Sequence, residues 1–199
     1  MNIFQIGTCK GNDDLTNIIN RLPDKNVIKT LVLVEPMSRH NEDIKDLYAD
    51  VKNKHIENIA INTDEGVEEE LFYYHKGDGP LYEIASLKKS HITKHSLVEA
   101  HLKHHDDEIV TFKVKAMTVN NLFEKYNVSH IDLLFIDAEG LDSEIIRSID
   151  FGKFTIERII FENLHLVDID LLEYKLAQEG YRVNRRVGAN GWSNEAVLW

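Results

Sequence analysis

The sequence has one cysteine in 199 residues, no long apolar run and no excess of positive charge, and each shortage excludes something. With Cys9 alone, an internal disulfide framework is impossible, and a reducing, cytoplasmic compartment is expected. No apolar run approaches the roughly 18 residues that a membrane-spanning helix needs. The N-terminus has neither the basic region nor the long apolar region of a secretory signal. The chain enters a core strand at once, which leaves an upstream segment open. The 34 acidic and 23 basic side chains leave a formal charge of -11. That argues against unspecific binding to nucleic acid or to an anionic membrane. Internal repeats, low-complexity tracts and clear linkers are missing as well.

What is present is an ordinary globular composition, 43% hydrophobic and 29% charged. The length suits one domain with a substantial core. The expected organisation is a single domain over residues 1–199, with a substrate or lid insertion around 63–109.

The chain is organised around its first stretch. Ile3, Phe4 and Ile6 form a short apolar run, Gly7 and Gly11 follow, and a helical pattern begins at Leu15, Ile18, Ile19 and Leu22. Strand, glycine turn and helix in that order are how α/β sheets build nucleotide sites at the carboxyl ends of parallel strands. Glycine lets the backbone turn tightly where a Cβ would obstruct. Asn12, Asp13 and Asp14 are candidate caps for the helix. The spacing is G-x3-G rather than G-x-G-x-x-G, so a structural βα turn competes with a nucleotide site.

The pattern continues as α/β. Leu31 to Val34 reads as a buried parallel strand closed by Glu35-Pro36. A helix is expected from about Arg39 to Lys52 and a third strand over Ile56 to Ile61. Asn62 to Val110 breaks the rhythm. Leu71 to Tyr74 suits a strand, Tyr82 to Leu87 is short and mixed, and His91, His95, His101, His104 and His105 fall in a polar, helical stretch. Such insertions often carry substrate contacts. Val110 to Val114 resumes as a strand, and Thr118 caps a helix over Val119 to Tyr126. Ile131 to Ile136 is a buried strand ending at Asp137. A turn, Asp137-Ala138-Glu139-Gly140, and a helix from Ser143 to Ile149 follow. Ile156 to Phe161 is a further strand, ending at Glu162-Asn163. A helix over Asp168 to Glu179 is closed by Gly180. Tyr181 to Val187 and Glu195 to Trp199 form a hairpin around Gly188 to Gly191.

Three buried strands therefore end in a carboxylate: Glu35, Asp137 and Glu162. In a parallel sheet these ends meet at one edge, beside Gly7 and Gly11. An acid after the second strand sits where a ribose would lie. Asp137 and Glu139 flank a turn near the switch in strand order, and suit a cationic or amino group of a ligand, or a metal.

These segments carry a resemblance. I-D-L-L-F-I-D-A-E-G-L-D-S-E-I-I resembles the signature of FkbM-type S-adenosylmethionine-dependent methyltransferases. F-Q-I-G-T-C-K-G-N-D-D is similar to their first motif and V-L-V-E-P to their second. A-S-L-K-K-S-H-I-T-K-H, F-E-N-L-H-L and the final G-Y-R-V are similar to later segments, so the resemblance covers nearly the whole chain. It implies a Rossmann-like seven-stranded sheet, mostly parallel, with an antiparallel last strand and helices on both faces. It implies S-adenosyl-L-methionine as cofactor, its amino-acid part cradled by Gly7, Thr8 and Gly11. Glu35, with Pro36, would hold the ribose, and Ala60, Ile61 and Asn62 would lie near the adenine. Asp137 would stand at the cofactor's amino group or the reacting centre. Gln5 stands where many methyltransferases have an acid, Thr8-Cys9-Lys10 replaces the commoner A-N-x, and Phe135 replaces a lysine often found before the I-D pair.

Methyl transfer asks mainly for attack geometry, with a general base where the acceptor is a hydroxyl. Asp137, Glu139, Glu162 and His165 are the catalytic candidates. Ser86, Lys88 and His91 are the substrate candidates, facing a small-molecule or glycan acceptor. The histidine pairs 91/95 and 101/105 have zinc-like spacing, but a solvated polar helix is the simpler reading and no metal is expected. Cys9 reads as a small loop residue, and Trp192 and Trp199 as packing. The expected function is methyl transfer to a hydroxyl or carboxyl of a sugar or small metabolite. The alternative is a methyltransferase fold that binds without turnover. A nicotinamide enzyme is disfavoured by the missing third glycine.

Overall fold

The structure, a computed structural model, describes residues 1–11, 13–64, 68–74, 84–94, 109–162, 166, 168–187 and 193–199. In chain order the first strands are β1 (Asn2–Ile6), β2 (Thr30–Val34), β3 (Lys54–Glu57), β4 (Ala60–Ile61), β5 (Glu68–Tyr74), β6 (Ala85–Ser86) and β7 (Ile109–Met117). The remainder are β8 (His130–Ile131), β9 (Leu133–Ile136), β10 (Thr155–Ile156), β11 (Arg158–Glu162), β12 (Tyr181–Val187) and β13 (Ser193–Leu198). The α-helices among the described residues are α1 (Asp14–Asn20), α2 (Asn41–Leu47), α3 (Lys89–Lys94), α4 (Val119–Lys125), α5 (Asp142–Ser148) and α6 (Ile169–Gln178).

Seven strands form the main sheet in the order β12-β13-β11-β9-β1-β2-β3. β1 lies parallel between β2 and β9, which places the reversal of strand order at its carboxyl end. The last strand, β13, runs antiparallel to both neighbours, as the resemblance implies. Each central strand is apolar on both faces because both faces are covered. Phe4, Val32, Leu134 and Phe161 share one cluster with Val119, Leu122 and Phe123 of α4, Ile145 and Ile146 of α5 and Leu172 and Leu176 of α6. Ile3, Leu31, Leu33, Leu133 and Phe135 pack on the other face against Leu15 and Ile19 of α1 and Ile44 and Tyr48 near α2. Truncating one of these side chains, Phe4 for instance, removes a fully buried ring and costs about 3–5 kcal/mol.

Three strand expectations need correction. The run from Ile56 to Ile61 is not one strand. The chain leaves the main sheet after Glu57, where the Asn58 side chain bonds the Glu35 carbonyl at 2.8 Å and Asn41 at 3.0 Å. Ala60 and Ile61 then join a second sheet, β4-β7-β5-β6. Ile109–Met117 belongs to that sheet too, between β4 and β5. Its alternation reports one buried face, Val114 and Ala116, rather than a place in the main core. The runs 131–136 and 156–161 are each interrupted, at Asp132 and Glu157. Asp132 turns its carboxylate onto the Asn2 amide at 2.6 Å.

Local chemistry sets the helix starts. Asp13 caps α1 by accepting from Thr16 at 3.1 Å. Thr118 caps α4 by accepting from Asn121 at 3.2 Å. Gly180 takes a φ of +90° after α6, the left-handed stop that only glycine adopts cheaply. Asn12, the other cap candidate, and the tip at 188–191 lie outside the described residues.

Candidate functional site

The carboxyl ends of β1, β2 and β9 open onto a cleft of about 640 Å³, its mouth included. Its wall carries Gly7, Cys9, Glu35, Pro36, Ala60, Ile61, Ser86, Asp137 and Glu139 among others. Ile59, Leu71, Leu87 and Leu141 add an apolar side. Of the residues singled out from sequence, Gly7, Glu35, Pro36, Ala60, Ile61, Asp137, Glu139 and Ser86 are thus brought together. Thr8, Gly11, Asn62, Lys88, His91 and Glu162 stand behind or beside that wall. His165 lies outside the described residues, as do His95, His101, His104, His105 and Trp192.

The glycine loop is built by close approach. Gly7 sits at φ +78°, and a Cβ there would lie 1.7 Å from the Asp137 carbonyl oxygen. Only glycine lets β1 and β9 end side by side. The Gly7 and Thr8 amides bond the Val34 carbonyl at 3.0 and 3.1 Å, and Gly11 closes back on Thr8 at 2.7 Å. Cys9 is held at φ +47°, an uncommon conformation for a side-chain-bearing residue. Its amide donates to Glu35 Oε2 at 2.7 Å. Met37 donates to Glu35 Oε1 at 2.8 Å. Glu35 is buried, and burial pushes its carboxyl up to about 7 against the pull of those two amides and of Arg39. Each of its oxygens keeps a second lone pair for a hydroxyl donor.

Gln5 is fully buried at the centre of the sheet and donates from Nε2 to Asp13 Oδ2. An acid at position 5 would meet Asp13 as like charge to like. Glutamine is therefore the residue that keeps the Asp13 carboxylate at the loop, capping α1 and close enough to Asp137 to raise its proton affinity.

The turn after β9 is built differently. Glu139 and Gly140 are both left-handed, at φ +47° and +89°. Backbone of this kind persists where its surroundings over-determine it, and here the segment from 86 to 91 does so. Ser86 Oγ donates to the Glu139 carbonyl at 2.8 Å, and Lys88 Nζ to the Gly140 carbonyl at 2.9 Å. His91 Nε2 lies 2.9 Å from Glu139 Oε2. A Cβ on Gly140 would stand 2.6 Å from His91 Nδ1, so glycine admits the ring. Lys88 also pairs with Glu144 at 2.6 Å. Ser86, Lys88 and His91, picked out as substrate contacts, thus brace the turn that carries Glu139.

Behind the turn lies a residue that sequence reasoning missed. Asp142 is 2% exposed. Its Oδ2 accepts from Ala138 N at 3.3 Å and its Oδ1 from Glu162 N at 3.2 Å. The signal was available: Asp142 is the only acid of the I-D-A-E-G-L-D-S-E run set on an apolar helix face, with Ile145 and Ile146.

Asp137, Glu139, Asp142 and Glu162 form an acidic knot at the cleft's end. Burial raises Asp137 well above the ordinary carboxylate range, and the charges of Glu139, Glu162, Asp142 and Asp13 push the same way. Burial, then Glu139 and Asp142, raise Glu162 to about 8. Among the described residues, Asp137 Oδ1 is buried with no hydrogen-bond partner. Such an atom is costly unless something arrives to satisfy it. Among the described residues no group of three or more His, Cys, Asp or Glu is arranged to hold a metal ion. No described helix is long and apolar enough to cross a membrane.

Comparison with known proteins bears on this geometry. A family model, the methyltransferase FkbM domain, matches residues 5–183. No curated protein matches the chain. Among solved structures, precorrin-6y C5,15-methyltransferase from Geobacter metallireducens GS-15 is similar over 100% of this chain and 80% of its own, at TM-score 0.50 and 12% identity. The ribosomal protein L11 methylase from Lactobacillus delbrueckii subsp. bulgaricus is similar over 98% and 68%, at TM-score 0.46 and 11% identity. At these identities the likeness concerns the fold.

Proposed function

The chain belongs to the methyltransferase FkbM domain family, and from that premise we propose that it transfers a methyl group from S-adenosylmethionine to an oxygen, a hydroxyl or carboxyl of a sugar or small metabolite. The observation that carries the reading is Asp137 Oδ1, a buried acceptor without a partner among the described residues, on the wall that also holds Gly7 and Glu35.

The residues fit the cofactor by chemistry. Asp137 offers a bare acceptor for a cationic amino group. The Gly7 to Gly11 loop gives close backbone approach, with Gly7 and Cys9 on the wall and Thr8 and Gly11 shaping it from behind. Glu35, beside Pro36, has lone pairs for the two ribose hydroxyls. Ala60 and Ile61, with Ile59 and Leu71, offer an apolar slot for a base. Asn62 is turned to the second sheet, where it donates to Glu69 at 2.9 Å, and would support that slot from outside.

When bound, S-adenosylmethionine supplies an electrophilic methyl on a sulfonium. The protein's share is to hold the acceptor oxygen in line and take its proton. Glu162, raised to about 8 and so mostly protonated at neutral pH, acts as a base only once that proton has left, and is one candidate. Glu139, on the cleft wall and fixed by His91, is the second candidate. Calorimetry with S-adenosylmethionine and S-adenosylhomocysteine tests the cofactor, and transfer of labelled methyl across a panel of sugars and hydroxy acids tests the reaction. Heat with no transfer would leave a ligand-binding protein of the same fold. No heat with either compound would sink the reading.

A further inference from the structure

Asp142 takes no part in the site described from sequence, yet it touches both of the loops that hold it together. Its two oxygens accept from two amides that are 24 positions apart, Ala138 in the turn after β9 and Glu162 at the end of β11. β9 and β11 are neighbours in the sheet and pair in register through Ile136 and Phe161. The strand pairing ends at those residues, and the Asp142 carboxylate joins the two segments beyond it. We propose that Asp142 is the positioning residue of the site, a clamp that fixes where Asp137 and Glu162 stand relative to each other.

The chemistry favours a carboxylate here over its neutral relatives. Two N–H donors converge on one side chain, and a carboxylate is acceptor on both oxygens. An asparagine would present an N–H where one of the amides needs an acceptor. Serine has one oxygen and cannot reach both. The cost is a buried charge beside Asp137, Glu139 and Glu162, all acidic and all from the loops it clamps. Burial, with the charge of Glu139 adding to it, pushes Asp142 up to about 7, while its own backbone amide and those of Glu162 and Ala138 pull it down. On protonation one oxygen becomes a donor and one arm of the clamp weakens. The spacing of the acidic knot then depends on pH near neutrality through Asp142. Lys88 beside α5 is paired with Glu144, and Arg147 on α5 with Asp168.

The test is amide exchange and amide chemical shift at Ala138 and Glu162, followed in the full chain with pH. In the wild-type protein the Ala138 amide shift should inflect near pH 7. In Asp142→Asn that inflection should vanish and at least one of the two amides should exchange about tenfold faster or more. Both should do so in Asp142→Ala, while Leu134 in the sheet stays protected in each. Glu144→Gln, next to the turn but outside the clamp, should leave both amides unchanged. Affinity for S-adenosylmethionine, measured by calorimetry, should fall about tenfold in Asp142→Asn. That arm alone rests on the methyl-transfer reading. If the wild-type chain bound no cofactor, that reading would fail, and the amides would still decide the clamp. The proposal is overturned if Asp142→Asn keeps both protected amides and the inflection near pH 7. Should Asp142→Ala not fold, Asp142→Asn and the wild-type titration suffice.

Discussion

Glu35 and Asp137 end the two strands that flank β1, and their carboxylates meet different surroundings. Glu35 has a backbone amide on each oxygen, from Cys9 and from Met37. Asp137 has a buried oxygen with no partner among the described residues and other acids around it. The Glu35 loop is finished: its acid holds the turn together and has lone pairs to spare. The Asp137 loop is held from outside, by Ser86, Lys88, His91 and Asp142, and its own acid is left unsatisfied. The first arrangement suits neutral hydroxyl donors. The second stores a cost that a cationic ligand, or a proton, would relieve. A cleft that joins the two is prepared for a molecule with a polyol at one end and positive charge at the other, which is the shape of the proposed cofactor.

Breaking the junction between the loops should have the largest effect. Gly7→Ala drives a Cβ into the Asp137 carbonyl, and should cost more than about 4 kcal/mol or prevent folding, read by urea unfolding. Next, Asp137→Asn should separate binding from stability. It removes a charge that its neighbours oppose, so the melting temperature should hold or rise, while cofactor affinity falls by about tenfold or more. Glu35→Ala should do the reverse in part. It strands two amides, and should cost about 1–3 kcal/mol of stability as well as weakening the cofactor. If both substitutions lowered stability alike, the contrast between the loops would be wrong.

Proton linkage offers a gentler test. Glu35, Asp142 and Glu162 are all raised in the folded state, to about 7, 7 and 8. The native protein therefore binds more protons than the unfolded chain between the ordinary carboxylate range and those values. Stability should fall as pH rises through that window. Thermal melts across pH 5 to 9 in roughly unit steps read it directly, and Asp137→Asn should flatten the slope. A rise in stability over that range would contradict the acidic knot. The smallest effect belongs to Glu144→Gln. Its bridge to Lys88 is half exposed, so the loss should stay under about 1 kcal/mol.

The same contrast explains what could be read from the sequence. The Glu35 loop is built from two short stretches, 7–13 and 35–37, and its logic is local: glycines for the turn, an acid at a strand end, a capping Asp13. The main sheet was legible for a similar reason, since strands apolar on both faces announce burial. The Asp137 turn depends on Ser86, Lys88 and His91, 48 or more positions away along the chain. Nothing in their spacing says that they bond a backbone carbonyl rather than a substrate. Ile56 to Ile61 was read as one strand because a strand's pattern reports how many faces are buried and not which sheet it joins. Asp142 was passed over because an acid next to a helix start reads as a surface cap until its two amide partners are seen.

The central claim is that Asp137 waits for a cation, and isothermal titration of the wild-type chain and Asp137→Asn with S-adenosylmethionine at neutral pH tests it most directly. The account predicts binding by the wild type and affinity weakened by about tenfold or more in the variant, with an unchanged or higher melting temperature. Equal affinity in the two proteins would contradict it.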